Sequence, residues 1–142
     1  TAEKLRLDRV EDPSKLYDML PEADFVISTV TLTLETQGLF NRTVFECMKP
    51  TAFVVNISRG PIVDEEDLLG ALNAGQIAGA GLDVLNQEPP AKDHPLVNHA
   101  KVVVTPHTAG ITKQSFDALG RAVADNVERL KKGEPLRNLA TI

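Results

Sequence analysis

Four short stretches of this chain carry side chains suited to chemistry, centred on Arg59, the closely spaced acids Asp83 and Glu88, and His107. Arg59, in Asn56-Ile57-Ser58-Arg59-Gly60-Pro61, offers five donors in a planar fork that fits a carboxylate and can polarise a neighbouring carbonyl. Its bland alternative is a surface arginine paired with Asp64 or Glu65. Asp83 ends the apolar run that contains Gly79-Ala80-Gly81-Leu82, and Glu88 follows it ahead of Pro89 and Pro90. An unpaired carboxylate buried at a strand end is costly, so Asp83 reads as functional, whereas Glu88 alone reads equally well as a solvated loop acid. His107, in Thr105-Pro106-His107-Thr108-Ala109-Gly110, supplies an imidazole that can shuttle a proton near neutral pH. A carboxylate such as Glu88 would fix that ring and favour its protonated form, making an acid/base dyad. His94 and His99 end no strand and read as loop residues.

Residues of this kind need elements to hold them, and the hydrophobic pattern supplies those elements. Asp12-Pro13 starts a helix with Leu16, Tyr17 and Leu20 on one face, stopped by Pro21. Residues 24–30 form an apolar run of the kind found in a strand covered on both sides. A helix is expected over residues 41–48, a second strand over 52–57, and then a helix capped by Asp64 and ended by Gly75. Two more strands are expected over 77–85 and 101–105, joined by a Pro-rich connection over 87–100 without helical periodicity. Phe116, Leu119, Val123, Val127 and Leu130 lie at spacings of three and four on a last helix over 112–132, which Gly133 closes. Alternating strands and helices imply a doubly wound α/β sheet of parallel strands. In such sheets ligands collect beyond the carboxyl ends of the strands, where all four stretches fall. Gly79-Ala80-Gly81 lies inside a strand, and Val84 stands where a phosphate-loop fingerprint needs glycine, so these glycines read as close packing.

Composition excludes several classes. With 42% hydrophobic and 25% charged residues, the chain is an ordinary globule, and its 142 residues fit one domain or part of a larger one. A net charge of -5 without a basic run argues against nucleic-acid partners. No apolar stretch reaches the length of a membrane span, and the charged opening differs from a signal peptide. The single cysteine, Cys47, supports neither a disulfide nor a zinc site, and no metal is expected. A reducing, cytoplasmic setting fits. The opening at Thr1 without methionine reads as a missing amino-terminal half.

The segments ADFVISTVTLTLETQGLFN, VVNISRGPIVDEEDLLGALNAGQIAGAGLDVLNQEPP and VVVTPHTAG together resemble the D-isomer-specific 2-hydroxyacid dehydrogenase family, in its order and spacings. The resemblance implies the carboxyl-terminal part of a Rossmann-type NAD-binding domain over residues 1–110, without its first strands and glycine-rich loop. Residues 111–142 would be a closing helix and a tail returning toward an absent substrate domain. It implies NAD or NADP as cofactor, a small 2-oxo acid as substrate, and a homodimer or association with the missing half. Arg59 would bind substrate, Glu88 would partner His107, and His107 would be the general acid/base. Val30, Thr31, Ile57, Ser58, Arg59, Asp83, His107, Thr108, Ala109 and Gly110 would line the cofactor, with Asp83 orienting its carboxamide. Thr31 stands where relatives often have proline. Glyoxylate or hydroxypyruvate is the favoured substrate. An inactive fragment and a nucleotide-sensing, corepressor-like binding protein are the alternatives.

Overall fold

The computed structural model describes residues 7–139, so residues 1–6 and the last three of the expected tail over 137–142 lie outside the described residues. The chain divides into two compact units, one ending at His107 and one beginning at Thr108.

The first unit is built on four parallel strands in the order β1 (Phe25–Ser28), β2 (Phe53–Asn56), β3 (Gly79–Leu82) and β4 (Val102–Val104). Registers pair Phe25 with Phe53, Phe53 with Gly79 and Ala80 with Val102. Two helices make the first crossovers: α2 (Arg42–Cys47) and α3 (Glu65–Ala74), preceded in the chain by a single α turn, α1 (Leu16–Met19). The local signals behave as their chemistry requires. The Asn41 side chain accepts from the Thr43 and Val44 amides at the start of α2, and Asp64 accepts from Asp67 at the start of α3. Gly75 ends α3 at φ +70°, a left-handed conformation that glycine adopts without a Cβ penalty.

Because crossovers in a parallel sheet keep one hand, α2 and α3 fall on the same face and pack together there. Side chains alternate along a strand, so Val54, Asn56, Ala80 and Leu82 point into that layer. They meet Val44, Phe45, Leu68, Leu72 and Ile77 in one core, which Leu20 and Leu96 complete. Fully burying a side chain such as Phe45 or Leu72 contributes about 1.5–3 kcal/mol.

Three expectations are corrected. The opening helix is not one helix stopped by Pro21: a 3-10 turn (Pro13–Lys15), α1 and a second 3-10 turn (Leu20–Glu22) follow one another. Pro21 sits in the first positions of that last turn, where its missing N–H costs nothing. Tyr17 is exposed, leaving Leu20 as the buried anchor. The strands are shorter than the apolar runs, with Val30 and Asp83 beyond their ends. The strand over 24–30 is also not covered above and below. Phe25, Ile27, Phe53 and Val103 are exposed on the face opposite α2 and α3, and no helix in the 87–100 connection covers them.

The second unit contains α4 (Lys113–Lys132), capped by a reciprocal Thr112–Ser115 pair and ended by Gly133 at φ +68°. Its apolar stripe of Phe116, Leu119, Val123, Val127 and Leu130 is exposed. No helix among the described residues is long and apolar enough to cross a membrane.

Candidate functional site

The carboxyl ends of β2, β3 and β4 converge, and each is extended by a polar residue that organises the turn beyond it. Asn56, the last residue of β2, is buried; its side chain accepts from the Ser58 amide at 3.0 Å and donates to the Arg59 carbonyl at 2.9 Å. This folds the Ile57-Ser58-Arg59 turn back on the strand. The Ser28 and Ser58 hydroxyls, 3.0 Å apart and buried, tie that turn to the end of β1.

Arg59 is exposed, and its Nη1 donates to the Ser58 carbonyl at 2.7 Å. The surface alternative for this arginine is not what the structure shows, because both acids are engaged elsewhere. Asp64 caps α3, while Glu65 accepts from the Asn86 amide at 2.8 Å and lies 3.3 Å from Nε2 of His94. Arg59 lines a cleft of about 390 Å³ with Thr29, Val30, Thr31, Leu32, Ile57 and Ser58. The expected cofactor-lining residues just beyond β1 and β2 therefore share one opening.

A second cavity, of about 540 Å³, lies at the ends of β3 and β4. Asp83, Glu88 and His107 line it, with Leu85, Val97 and Val104 among its apolar walls. Asp83 is buried, and the Thr105 hydroxyl donates to its carboxylate. Its carbonyl accepts the His107 amide at 2.9 Å, which holds the His107 backbone over the end of β3. His107 adopts φ +54°, a region that non-glycine residues seldom occupy and that concentrates where geometry serves function.

The central contact is between His107 Nδ1 and Glu88 Oε2, at 2.7 Å. The other oxygen of Glu88 accepts the Leu85 amide at 3.1 Å. The hydrogen bond from His107 holds the Glu88 carboxyl below its ordinary value, with burial opposing and the Leu85 amide assisting. With Nδ1 committed to a carboxylate, Nε2 is the ring nitrogen available for proton transfer.

The structure thus brings Glu88, His107 and Asp83 onto one cavity and places Arg59 on the neighbouring cleft. What joins the two openings was not anticipated. A Cβ on Gly60 would lie 2.1 Å from both the carbonyl carbon and oxygen of Leu85, so the Arg59 turn can seat against the loop carrying Glu88 only because residue 60 is glycine. Gly79 plays the packing part expected of it, since a Cβ there would meet the Lys101 carbonyl at 2.7 Å. Thr108, Ala109 and Gly110 belong to the second unit, where the Gly110 carbonyl accepts from Ser115 at the start of α4.

The donor set suits one end of a dinucleotide. A shielded carboxylate, a hydroxyl-lined turn and an apolar-walled cavity fit an amide-bearing ring, whereas Gly79 within β3 is packed against the Lys101 carbonyl and is not open to a pyrophosphate.

Comparison with known proteins agrees with this arrangement. The model of the D-isomer specific 2-hydroxyacid dehydrogenase NAD binding domain matches residues 2–109. Glyoxylate reductase of Pyrococcus furiosus is 44% identical over 119 residues, covering 84% of this chain and 35% of that protein. Human glyoxylate reductase/hydroxypyruvate reductase is 38% identical over 119 residues, covering 84% of this chain and 36% of its own length. Among solved structures, holo D-mandelate dehydrogenase of Rhodotorula graminis superposes with a TM-score of 0.86 at 30% identity, covering 99% of this chain and 40% of that one. A D-isomer specific 2-hydroxyacid dehydrogenase from Xanthobacter autotrophicus Py2, in complex with NADPH and MES, gives 0.81 at 34% identity, covering 93% and 54%. The chain therefore spans between about a third and about half of these relatives.

Proposed function

Because this chain belongs to the D-isomer specific 2-hydroxyacid dehydrogenase family, we propose that it serves reversible reduction of a small 2-oxo acid to the D-2-hydroxy acid, with glyoxylate or hydroxypyruvate as substrate. The observation that carries this reading is the 2.7 Å bond between His107 Nδ1 and Glu88. It fixes the imidazole and leaves Nε2 to act.

Arg59 holds the substrate carboxylate through its fork and polarises the adjacent carbonyl. His107 donates a proton from Nε2 to the carbonyl oxygen during reduction and takes it back during oxidation. Glu88 stabilises the imidazolium and keeps the ring oriented. Bound NAD or NADP would supply or accept the hydride. The lining of its nicotinamide end is assigned to Val30, Thr31, Ile57, Ser58, Arg59, Asp83, His107, Thr108, Ala109 and Gly110, with Asp83 orienting the carboxamide. Residues 1–110 are assigned to the carboxyl-terminal part of the NAD-binding domain and 111–142 to a closing helix and tail directed toward a substrate domain. The exposed sheet face of Phe25, Ile27, Phe53 and Val103 supports a working protein in which a second copy or further family domains cover apolar surface. The cytoplasm is the proposed setting.

The test is oxidation of NADH and NADPH with glyoxylate and hydroxypyruvate, after intact-mass analysis of the protein. Turnover that falls by two orders of magnitude or more in His107→Gln supports the assignment. Turnover unchanged in that variant overturns it.

A further inference from the structure

Two carboxylates grip neighbouring amides of the loop after β3, and each also lies against a histidine. Glu88 takes the Leu85 amide with one oxygen and His107 Nδ1 with the other. Glu65, the first residue of α3, takes the Asn86 amide at 2.8 Å and lies 3.3 Å from His94 Nε2. We infer that His94 and Glu65 are positioning residues, clamping the Leu85–Asn86 peptide so that Glu88 stays on His107. This rests on the dehydrogenase reading of the Glu88–His107 pair.

Three features favour a clamp over incidental packing. The supporting pair is the better shielded: the side chains of His94 and Glu65 are 16% and 19% exposed, against 50% and 37% for His107 and Glu88. Asn86 is itself exposed, so water could satisfy its amide. What the Glu65 carboxylate adds is a fixed position for that peptide. His94 is also rooted in the core, because its amide donates to the Ala91 carbonyl, its own carbonyl accepts from the Asn98 amide, and Leu96 beside it is fully buried. Its Nδ1 is buried with no partner, a cost that a freely rotating surface histidine would escape. Gly60 seats against the same peptide from the Arg59 side, so a shift at residues 85–86 would reach both openings of the site.

The test uses the full-length enzyme carrying His94→Ala, Glu65→Ala and the conservative His94→Gln, whose side-chain amide can take the place of Nε2 beside Glu65. Glyoxylate reduction is measured alongside the ring nitrogen signals of His107 in two-dimensional NMR. The expected result is a kcat about tenfold lower in both alanine variants, KM for NADH within about twofold of the parent, and a displaced His107 Nδ1 signal. His94→Gln recovers kcat to within about threefold, and adding His94→Ala to Glu88→Gln costs nothing further. A fall in melting temperature with kcat and the His107 signal unmoved would show ordinary structural support and overturn the clamp. Should the alanine variants fail to fold, Glu65→Asp, one methylene shorter, decides in the same way: a displaced His107 signal supports the clamp, and an unmoved one overturns it. If the parent reduces no 2-oxo acid, the functional reading fails, yet the His107 signal still reports whether His94 acts on the pair.

Discussion

Replacing Gly60 with alanine places a methyl carbon 2.1 Å from the carbonyl carbon and oxygen of Leu85 and 2.5 Å from the Asn86 nitrogen. Comfortable carbon contacts begin near 3.5 Å, so the two segments must part by roughly 1.4 Å. The obstructing atoms are backbone; the N–H of their own peptide is held by Glu65, and that of the preceding peptide by Glu88. Their peptide cannot move away without stretching at least one of those hydrogen bonds. Overpacking of this kind costs about 1–3 kcal/mol and a lost hydrogen bond adds about 0.5–1.5, for a total of about 2–4 kcal/mol. In a chain of this size that lowers the melting temperature by roughly 6–15 °C, which calorimetry or circular dichroism reads directly. Two further glycines calibrate the result. A Cβ on Gly81 would meet only Val55 methyl groups at 3.6 and 3.7 Å, so Gly81→Ala should lie within about 1 kcal/mol of the parent. Gly70, on α3, has nothing within 4 Å, and Gly70→Ala should stabilise by about 0.5–1 kcal/mol. If Gly60→Ala melted within about 2 °C of Gly81→Ala, the seating of the Arg59 turn on the Glu88 loop would be refuted.

Arg59→Lys keeps the charge but loses the fork, and should lower kcat/KM for the 2-oxo acid by about 10²-fold while KM for NADH changes little; steady-state kinetics on both substrates decides it. Glu88 is an acid held below its ordinary value, 4.5, chiefly by His107. Such a group contributes stability that is present above the unfolded value and lost as pH falls through the folded one. The stability gap between parent and Glu88→Gln should therefore be complete well above 4.5 and shrink as pH falls below that value, and urea unfolding on both sides of it measures the change. With the two side chains 37% and 50% exposed, the gap should stay under about 1 kcal/mol; one that persisted unchanged to pH 3 would show that the pair is not its source. Finally, the exposed apolar sheet face and the α4 stripe predict that the isolated 142-residue chain self-associates at about 100 μM, and a clean monomer in sedimentation would contradict that.

How much of this was written legibly in the chain depends on whether the interaction is local. Asp64 and Gly75 bound α3, Thr112 and Gly133 bound α4, and Asn41 starts α2, because caps act on amides or carbonyls a few residues away. Strand positions were legible from apolar runs, but their ends were not, since apolar character continues past the last ladder bond into Val84 and Leu85, both buried without pairing. Arg59, Asp83, Glu88 and His107 were singled out by the rule that ligands gather where parallel strands end, and the structure places them on two adjoining openings there. That same rule passed over His94 and Glu65, and the reason is physical. A group that meets a ligand must carry a distinctive side chain at a strand end, whereas a group that steadies such a residue works through a backbone amide, which every residue but proline has. Nothing in the letters distinguishes the Asn86 amide from its neighbours, and its partner Glu65 lies 21 residues away on a helix whose acidic first turn is explained well enough by its dipole. Gly60 is the intermediate case. Its place in Ser58-Arg59-Gly60-Pro61 announces a close approach of backbone, but only the packed structure shows that the approaching surface is the Glu88 loop rather than a ligand. Supports of this kind become visible once the fold has brought distant amides within reach of a carboxylate, so the clamp on residues 85–86 has to be sought in coordinates even where the pairing of Glu88 with His107 could be read from the sequence.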